Sequence, residues 1–137
     1  MEVKMIQFQP HGDDRGMLIA LEEKKNIPFE VKRVYFMYDT IEGVHRGKHA
    51  HKKLKQVLFC PCGACTISLD DGKEIREVRL DKPAEGLLVE ACVWREMYDF
   101  TPDAVLMVLA SDYYDESDYI RDYNEFICYV KDCSGKK

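Results

Sequence analysis

No run of apolar residues in this 137-residue chain is longer than the seven from Ala104 to Ala110. A membrane-crossing helix needs about 20, so none is expected. Positive charge is not in excess either: 20 Lys and Arg stand against 25 Asp and Glu, a net charge of −5. A protein that grips nucleic acid by neutralising phosphates is not built that way. The start, Met1-Glu2-Val3-Lys4-Met5, lacks the basic cluster and apolar stretch of an export signal. Repeats, linkers and low-complexity segments are missing as well, which leaves one domain over residues 1–137 as the expectation. A soluble, cytoplasmic protein follows, with its six cysteines reduced and mostly buried.

What the chain does have is 46% apolar residues, enough for one core. Short runs rich in Val, Ile, Leu, Phe and Tyr read as strands: Met5 to Phe8, Met17 to Leu21, Val31 to Tyr38, Gln56 to Cys60, Cys65 to Leu69, Ile75 to Leu80, Gly86 to Val93 and Ala104 to Leu109. Turn chemistry separates them at Asp13-Asp14-Arg15-Gly16, Pro61-Cys62-Gly63, Asp70-Asp71-Gly72-Lys73 and Thr101-Pro102-Asp103, with Asp71-Gly72 the strongest hairpin signal. Only the tail has helical spacing, at Ile120, Tyr123, Ile127 and Val130, and Ser117 is the expected N-cap. So many short strands leave exposed edges unless the sheets close or stack. The predicted fold is all-β, a sandwich or small barrel with one C-terminal helix.

Three of the four histidines fall within Gly43-Val44-His45-Arg46-Gly47-Lys48-His49-Ala50-His51-Lys52. On an extended backbone His49 and His51 project to one face, with Ala50 on the other. A turn through Lys52-Lys53-Leu54-Lys55 would bring Gln56 back to the same interior. The pattern Gly43, His49-x-His51, Gln56 and Gly63 is similar to the first cupin motif, with Gln56 where a metal-binding carboxylate usually stands. That resemblance implies a jelly-roll barrel. No histidine follows residue 51, and Arg95 stands where a third histidine ligand is expected, a permanent cation beside any bound metal. No catalytic metal and no cofactor are expected. Cys60, Cys62 and Cys65 lack the fourth partner of a structural zinc site.

Longer motifs narrow the resemblance: Ile27-Pro28-Phe29, Lys32-Arg33-Val34-Tyr35, Arg46 through Lys53, Val93-Trp94-Arg95-Glu96-Met97, and Leu109-Ala110-Ser111-Asp112-Tyr113-Tyr114-Asp115-Glu116. Together they resemble the dTDP-4-keto-6-deoxyglucose 3,4-ketoisomerases, nearly end to end. The resemblance implies a metal-independent cupin that moves a carbonyl from carbon 4 to carbon 3 of a nucleotide-linked sugar. It also implies a homodimer with exchanged N-terminal strands, no nucleic-acid or membrane partner, and a product passed to a PLP-dependent aminotransferase making 3-amino sugars for surface glycans such as O-antigen.

Such chemistry needs an acid and a base, which imidazoles titrating near neutrality supply. By resemblance His51 is the principal base, with His49 orienting it or relaying protons. Tyr35, if it shares the cavity, donates a hydrogen bond to the developing oxyanion. Arg33 and Arg46 are the first candidates for the diphosphate. Gln56 and Trp94 are expected to line the sugar pocket. The resemblance further implies that Arg15 and Arg95 influence which face of carbon 4 receives its proton, so that the product has either the galacto or the gluco configuration. A dTDP-sugar epimerase of the cupin class and a non-catalytic sugar-binding cupin are the competing readings.

Overall fold

The computed structural model describes residues 1–135. Its elements are β1 (Lys4–Gln7), β2 (His11–Asp13), β3 (Gly16–Leu18), β4 (Arg33–Met37), β5 (Arg46–His51), β6 (Gln56–Cys62), β7 (Cys65–Asp70), β8 (Ile75–Leu80), β9 (Glu85–Val89), β10 (Trp94–Tyr98), β11 (Val105–Ala110), β12 (Tyr119–Ile120) and α1 (Tyr123–Gly135). Two five-stranded antiparallel sheets run β1-β9-β6-β11-β4 and β12-β5-β10-β7-β8. Strands β2 and β3 form a separate hairpin. This is the expected cupin-type sandwich with one C-terminal helix.

Alternation along the strands sorts the core into layers. Leu58 and Cys60 of β6 join Ile67, Leu69, Leu87, Leu106 and Val108 in the main apolar cluster. Their neighbours Val57 and Phe59 pack on the other face with Phe8, Ile27 and Leu109. Outside the second sheet, Ala50 and Trp94 meet Ile120 and Phe126. Phe126 is fully buried and fixes the helix to that face, a contribution of about 2–3 kcal/mol.

Several boundaries differ from the sequence reading. The run Gly86 to Val93 is one strand only as far as Val89. Cys92, at φ +64°, turns the chain, and β10 then starts at Trp94. The expected Met17 to Leu21 strand stops at Leu18. The helix is capped by Asp122, whose side chain accepts from Glu125 N–H at 3.0 Å, instead of by Ser117. Ser117 lies in a 3₁₀ turn, its N–H held by Asp115 at 3.0 Å. Ile120 leaves the helical pattern because Tyr119 and Ile120 pair with His51 and Ala50, covering the edge of β5. The Asp71-Gly72 hairpin forms as expected, with Gly72 at φ +91° and Asp71 Oδ1 accepting from Lys73 and Glu74 N–H. Cysteine burial is less general than expected: Cys60 and Cys65 are buried, while Cys62 and Cys128 are exposed. Among the described residues, no helix is long and apolar enough to cross a membrane.

Candidate active site

The site begins with a backbone irregularity in β5. Gly47 and Lys48 have φ of +85° and +51°. Arg95 pairs with His49 but its neighbour Glu96 pairs with Gly47, so Lys48 is the extra residue of a β-bulge. A side chain at Gly47 is excluded on space as well, since a Cβ there lies 2.7 Å from Met97 Sδ. Beyond the bulge the alternation is regular: Ala50 packs toward the helix, and His49 and His51 turn the other way. His49 is 8% exposed and His51 not at all. Their rings meet edge to face, with centroids 4.9 Å apart and planes at 87°. His45, on the other side of the bulge, stacks on Tyr98 instead.

Each imidazole has one polar contact. His49 Nδ1–H donates to Gly47 O at 2.9 Å; a carbonyl only accepts, so in the neutral ring Nε2 carries no proton. His51 Nδ1 lies 3.2 Å from Asp118 Oδ2. Among the described residues, Nε2 of both rings is buried without a hydrogen-bond partner. Burial, then the nearby Arg95 charge, lowers His49 to about 4 and His51 to about 2. This corrects the idea of a pair poised at neutrality: both rings are neutral at pH 7, two bases and no acid.

Hydrogen-bond donors come from another chain of contacts. Arg95 is fully buried. Its Nη1 donates to Gln56 Oε1, and Nε and Nη2 donate to Val93 O at 3.2 and 3.1 Å. Burial lowers Arg95 only to about 10, which leaves it a cation at neutral pH. Gln56 Nε2 donates in turn to Tyr35 Oη at 2.8 Å. The Tyr35 hydroxyl, raised above its ordinary value by burial, keeps its own proton to donate. Gln56 thus relays polarisation from a buried cation to a neutral phenol.

Two adjoining cavities of about 210 and 330 Å³ flank these groups and share Arg33 and Tyr119. The smaller includes His51, Lys53, Ser111 and Asp118; the larger includes Tyr35, Arg46, His49 and Arg121. Arg33 stacks over the rings of Tyr35 and Tyr114, at 5.1 and 5.6 Å. Its Nε and Nη2 are buried without partners among the described residues. The structure therefore gathers His49, His51, Tyr35, Gln56, Arg95, Arg33 and Arg46.

Two expected residues stand apart. Trp94 points to the opposite face of β10, where it packs on Tyr123 and Phe126 with centroids 5.3 and 5.8 Å away. Residues one apart on a strand face opposite ways, so Arg95 inside puts Trp94 outside. Arg15 sits on the exposed β2–β3 hairpin, its guanidinium bound by Asp13 at 2.6 Å, and lines neither cavity. Conversely, sequence reasoning missed Asp118, Tyr119 and Arg121. Tyr119 packs on His51 and His49 with centroids 4.3 and 5.0 Å away, and Arg121 lies 4.2 Å over its ring. Their placement depends on β12 returning to β5, and the apolar Ile120 is the one local hint of that.

A metal fits this donor set poorly. Among the described residues no three His, Cys, Asp or Glu side chains are placed so that they could hold a metal ion, and Arg95 lies close enough to add to the depression of both histidines.

The family model described as FdtA: WxcM-like, C-terminal matches residues 1–131. A TDP-4-oxo-6-deoxy-alpha-D-glucose-3,4-oxoisomerase of Aneurinibacillus thermoaerophilus is 58% identical over 130 residues, 95% of this chain and 94% of that protein. The crystal structure of a 3,4-ketoisomerase from Helicobacter canadensis superposes with a TM-score of 0.93 at 49% identity, covering 96% of this chain and 98% of the other. QdtA, a sugar 3,4-ketoisomerase from Thermoanaerobacterium thermosaccharolyticum solved with TDP, gives 0.93 at 45% identity over 96% of both chains. On fold, site and these likenesses together, the chain belongs to the FdtA family of sugar 3,4-ketoisomerases.

Proposed function

We propose that the protein converts dTDP-4-keto-6-deoxyglucose into a dTDP-3-keto-6-deoxyhexose by acid-base tautomerisation. The observation that carries this is a pair of buried neutral imidazoles, each with an unpartnered Nε2, beside a Tyr35 hydroxyl polarised through Gln56 by Arg95. His51 Nε2 takes the proton from carbon 3 as the carbonyl oxygen at carbon 4 accepts the Tyr35 hydrogen bond. The enolate charge develops where the Arg95–Gln56–Tyr35 chain ends, which is where a preorganised donor lowers the barrier most. His49 Nε2 carries the proton from the carbon 3 oxygen to the carbon 4 oxygen. His51 then returns its proton to carbon 4. Both histidines finish as they began, and no electrons leave the sugar.

Arg33 and Arg46 serve the diphosphate, Arg33 through its buried unpartnered nitrogens. A mutant form of QdtA has been solved with TDP-4-keto-6-deoxyglucose, which supports the choice of ligand. The same reading has the protein act without metal or cofactor, in the cytoplasm, as a single-domain subunit of a homodimer with exchanged N-terminal strands. Exposed Val34 and Phe36 on β4, Tyr38 just beyond its end, and Met17 and Leu18 on β3 support the dimer, since they form apolar surface that a partner copy can cover. Arg15, outside this chain's cavities, has a route to substrate through that exchange. The 3-keto product suits a PLP-dependent aminotransferase making 3-amino sugars for surface glycans.

Incubation with dTDP-4-keto-6-deoxyglucose followed by NMR tests the proposal. A 3-keto product that an aminotransferase traps, formed equally after treatment with a chelator, is expected, and its signals give the carbon 4 configuration. Inversion at carbon 5 points to an epimerase. Unchanged substrate points to a binding protein.

A further inference from the structure

We propose that Tyr119 is a positioning residue for the histidine pair, its ring covering both imidazoles against solvent and fixing their tilt. This rests on the isomerase reading, which needs both rings unprotonated and aimed at the sugar.

Three features argue for it. First, one ring serves both histidines. The Tyr119 centroid lies 4.3 Å from that of His51, with planes at 61°, and 5.0 Å from that of His49, with planes at 48°. His49 and His51 are themselves 4.9 Å apart, so the three rings form a closed cluster. Among the described residues each imidazole has a single hydrogen-bonding contact, at Nδ1. One such contact leaves a ring free to tilt about it, and an aromatic neighbour packed on its flank removes that freedom. Second, Tyr119 stands in the wall common to both cavities, where a smaller side chain would open a path for water to both histidines. Third, Tyr119 is itself held. Its backbone pairs with His51 across β12 and β5. Arg121 lies 4.2 Å over its ring and donates to both carboxylate oxygens of Glu116, at 2.6 and 2.9 Å. Tyr114 donates to Glu116 Oε2 at 2.5 Å and packs on Tyr119 with centroids 5.6 Å apart. The segment from Tyr114 to Arg121 is thus a clasp that holds one aromatic ring on the pair.

The cover has a mechanistic use. Burial is the first cause of the depressed histidines, and Tyr119 supplies part of it. The two histidines face each other, Arg95 from β10, Arg33 from β4, and Arg121 and Glu116 from the clasp, with Gly47 O beside His49 and Asp118 beside His51. The three arginines oppose a further positive charge, and the two carboxylates favour it. All of these groups remain when the Tyr119 ring is removed, so a change in titration then reports water reaching the imidazoles.

The test compares Tyr119→Leu with Tyr119→Phe in the full-length chain, following the histidines by NMR on histidine-labelled protein. Tyr119→Phe keeps the ring and should leave the titrations in place and kcat within a few-fold. Tyr119→Leu admits water. His49 should then titrate about one pH unit higher, and the acid limb of kcat/KM should rise with it. At pH 7 kcat should fall on the order of 10- to 100-fold, because loosened rings miss the reacting atoms, with KM within a few-fold. An unmoved His49 titration in Tyr119→Leu overturns the proposal. So does a Tyr119→Phe that loses as much kcat as Tyr119→Leu, which gives the role to the hydroxyl, or a raised KM at constant kcat, which makes Tyr119 a substrate contact. If Tyr119→Leu does not fold, the wild type decides: nuclear Overhauser contacts from the Tyr119 ring to both imidazoles are expected, and their absence rejects the proposal. Absence of isomerase activity in the wild type overturns the isomerase reading, and the titrations still decide for or against Tyr119.

Discussion

Arg95 on β10 reaches across the barrel and donates its Nη1 hydrogen to the side-chain oxygen of Gln56 on β6. Gln56, standing where cupins usually keep an ionised ligand, is a neutral relay. It accepts from the cation and donates to Tyr35, so a charge that adds to burial in keeping the histidines unprotonated also sharpens a hydrogen-bond donor.

Removing the base should separate chemistry from binding. His51→Asn deletes the proton carrier and leaves Arg33 and Arg46 untouched, so turnover should fall on the order of 10²- to 10⁴-fold. Calorimetric affinity for dTDP should stay within a few-fold. Substantial residual turnover assigns the base elsewhere.

The depressed histidines also fix a pH dependence of stability. In the unfolded chain they take protons as pH falls through 6.5, but in the fold His49 waits until about 4 and His51 until about 2. Between 6.5 and 4 the unfolded state binds more protons, so stability decreases on acidification. The contribution is complete above pH 6.5, and the loss begins there. Tm followed by circular dichroism should therefore decline from pH 7 toward 4. The acid limb of kcat/KM should lie well below 6.5.

Gly47→Ala tests the bulge. The added Cβ collides with Met97 Sδ and lies 3.1 Å from Arg95 O, at a residue with φ +85°. A cost of about 1–3 kcal/mol is expected from the backbone strain alone. Because Gly47 O also fixes the His49 tautomer, kcat should fall together with Tm.

At Arg33 the effect should fall on binding. Arg33→Ala removes buried, unpartnered N–H donors and should weaken dTDP binding by about 10- to 100-fold, the value of a charge-assisted pair. Arg33→Lys should restore only part of the loss, since an ammonium lacks the planar fork. Equal affinity in all three proteins moves the phosphate site elsewhere.

Trp94→Phe distinguishes packing from recognition. Trp94 contacts the helix and donates to Glu96 Oε2 at 3.2 Å, away from both cavities. The substitution should cost about 1–2 kcal/mol in unfolding while KM and kcat remain within threefold. A large rise in KM would return Trp94 to the substrate pocket.

Short apolar runs in the chain were enough to foresee an all-β sandwich or small barrel, and a strand shows its two faces to sequence as odd and even positions. His49-x-His51 told which rings share a face, whereas Tyr35 was inward only on the condition of strand parity, and the fold sets it beside Arg33 at the larger cavity. The same rule, applied to adjacent Trp94 and Arg95, allows only one of them inside, and a fully buried Arg95 with its acceptors in reach decided which.

Local pattern therefore determined the strand-rich class, the Asp71-Gly72 hairpin and the inward histidines, each governed by residues within a few positions of one another. The tertiary structure alone decided the charge state of those histidines and the company they keep. Asp118 lies 67 residues from His51, and Arg95 lies 39 from Gln56. Burial and the field of a distant cation are properties of the closed barrel. No short window of sequence contains them.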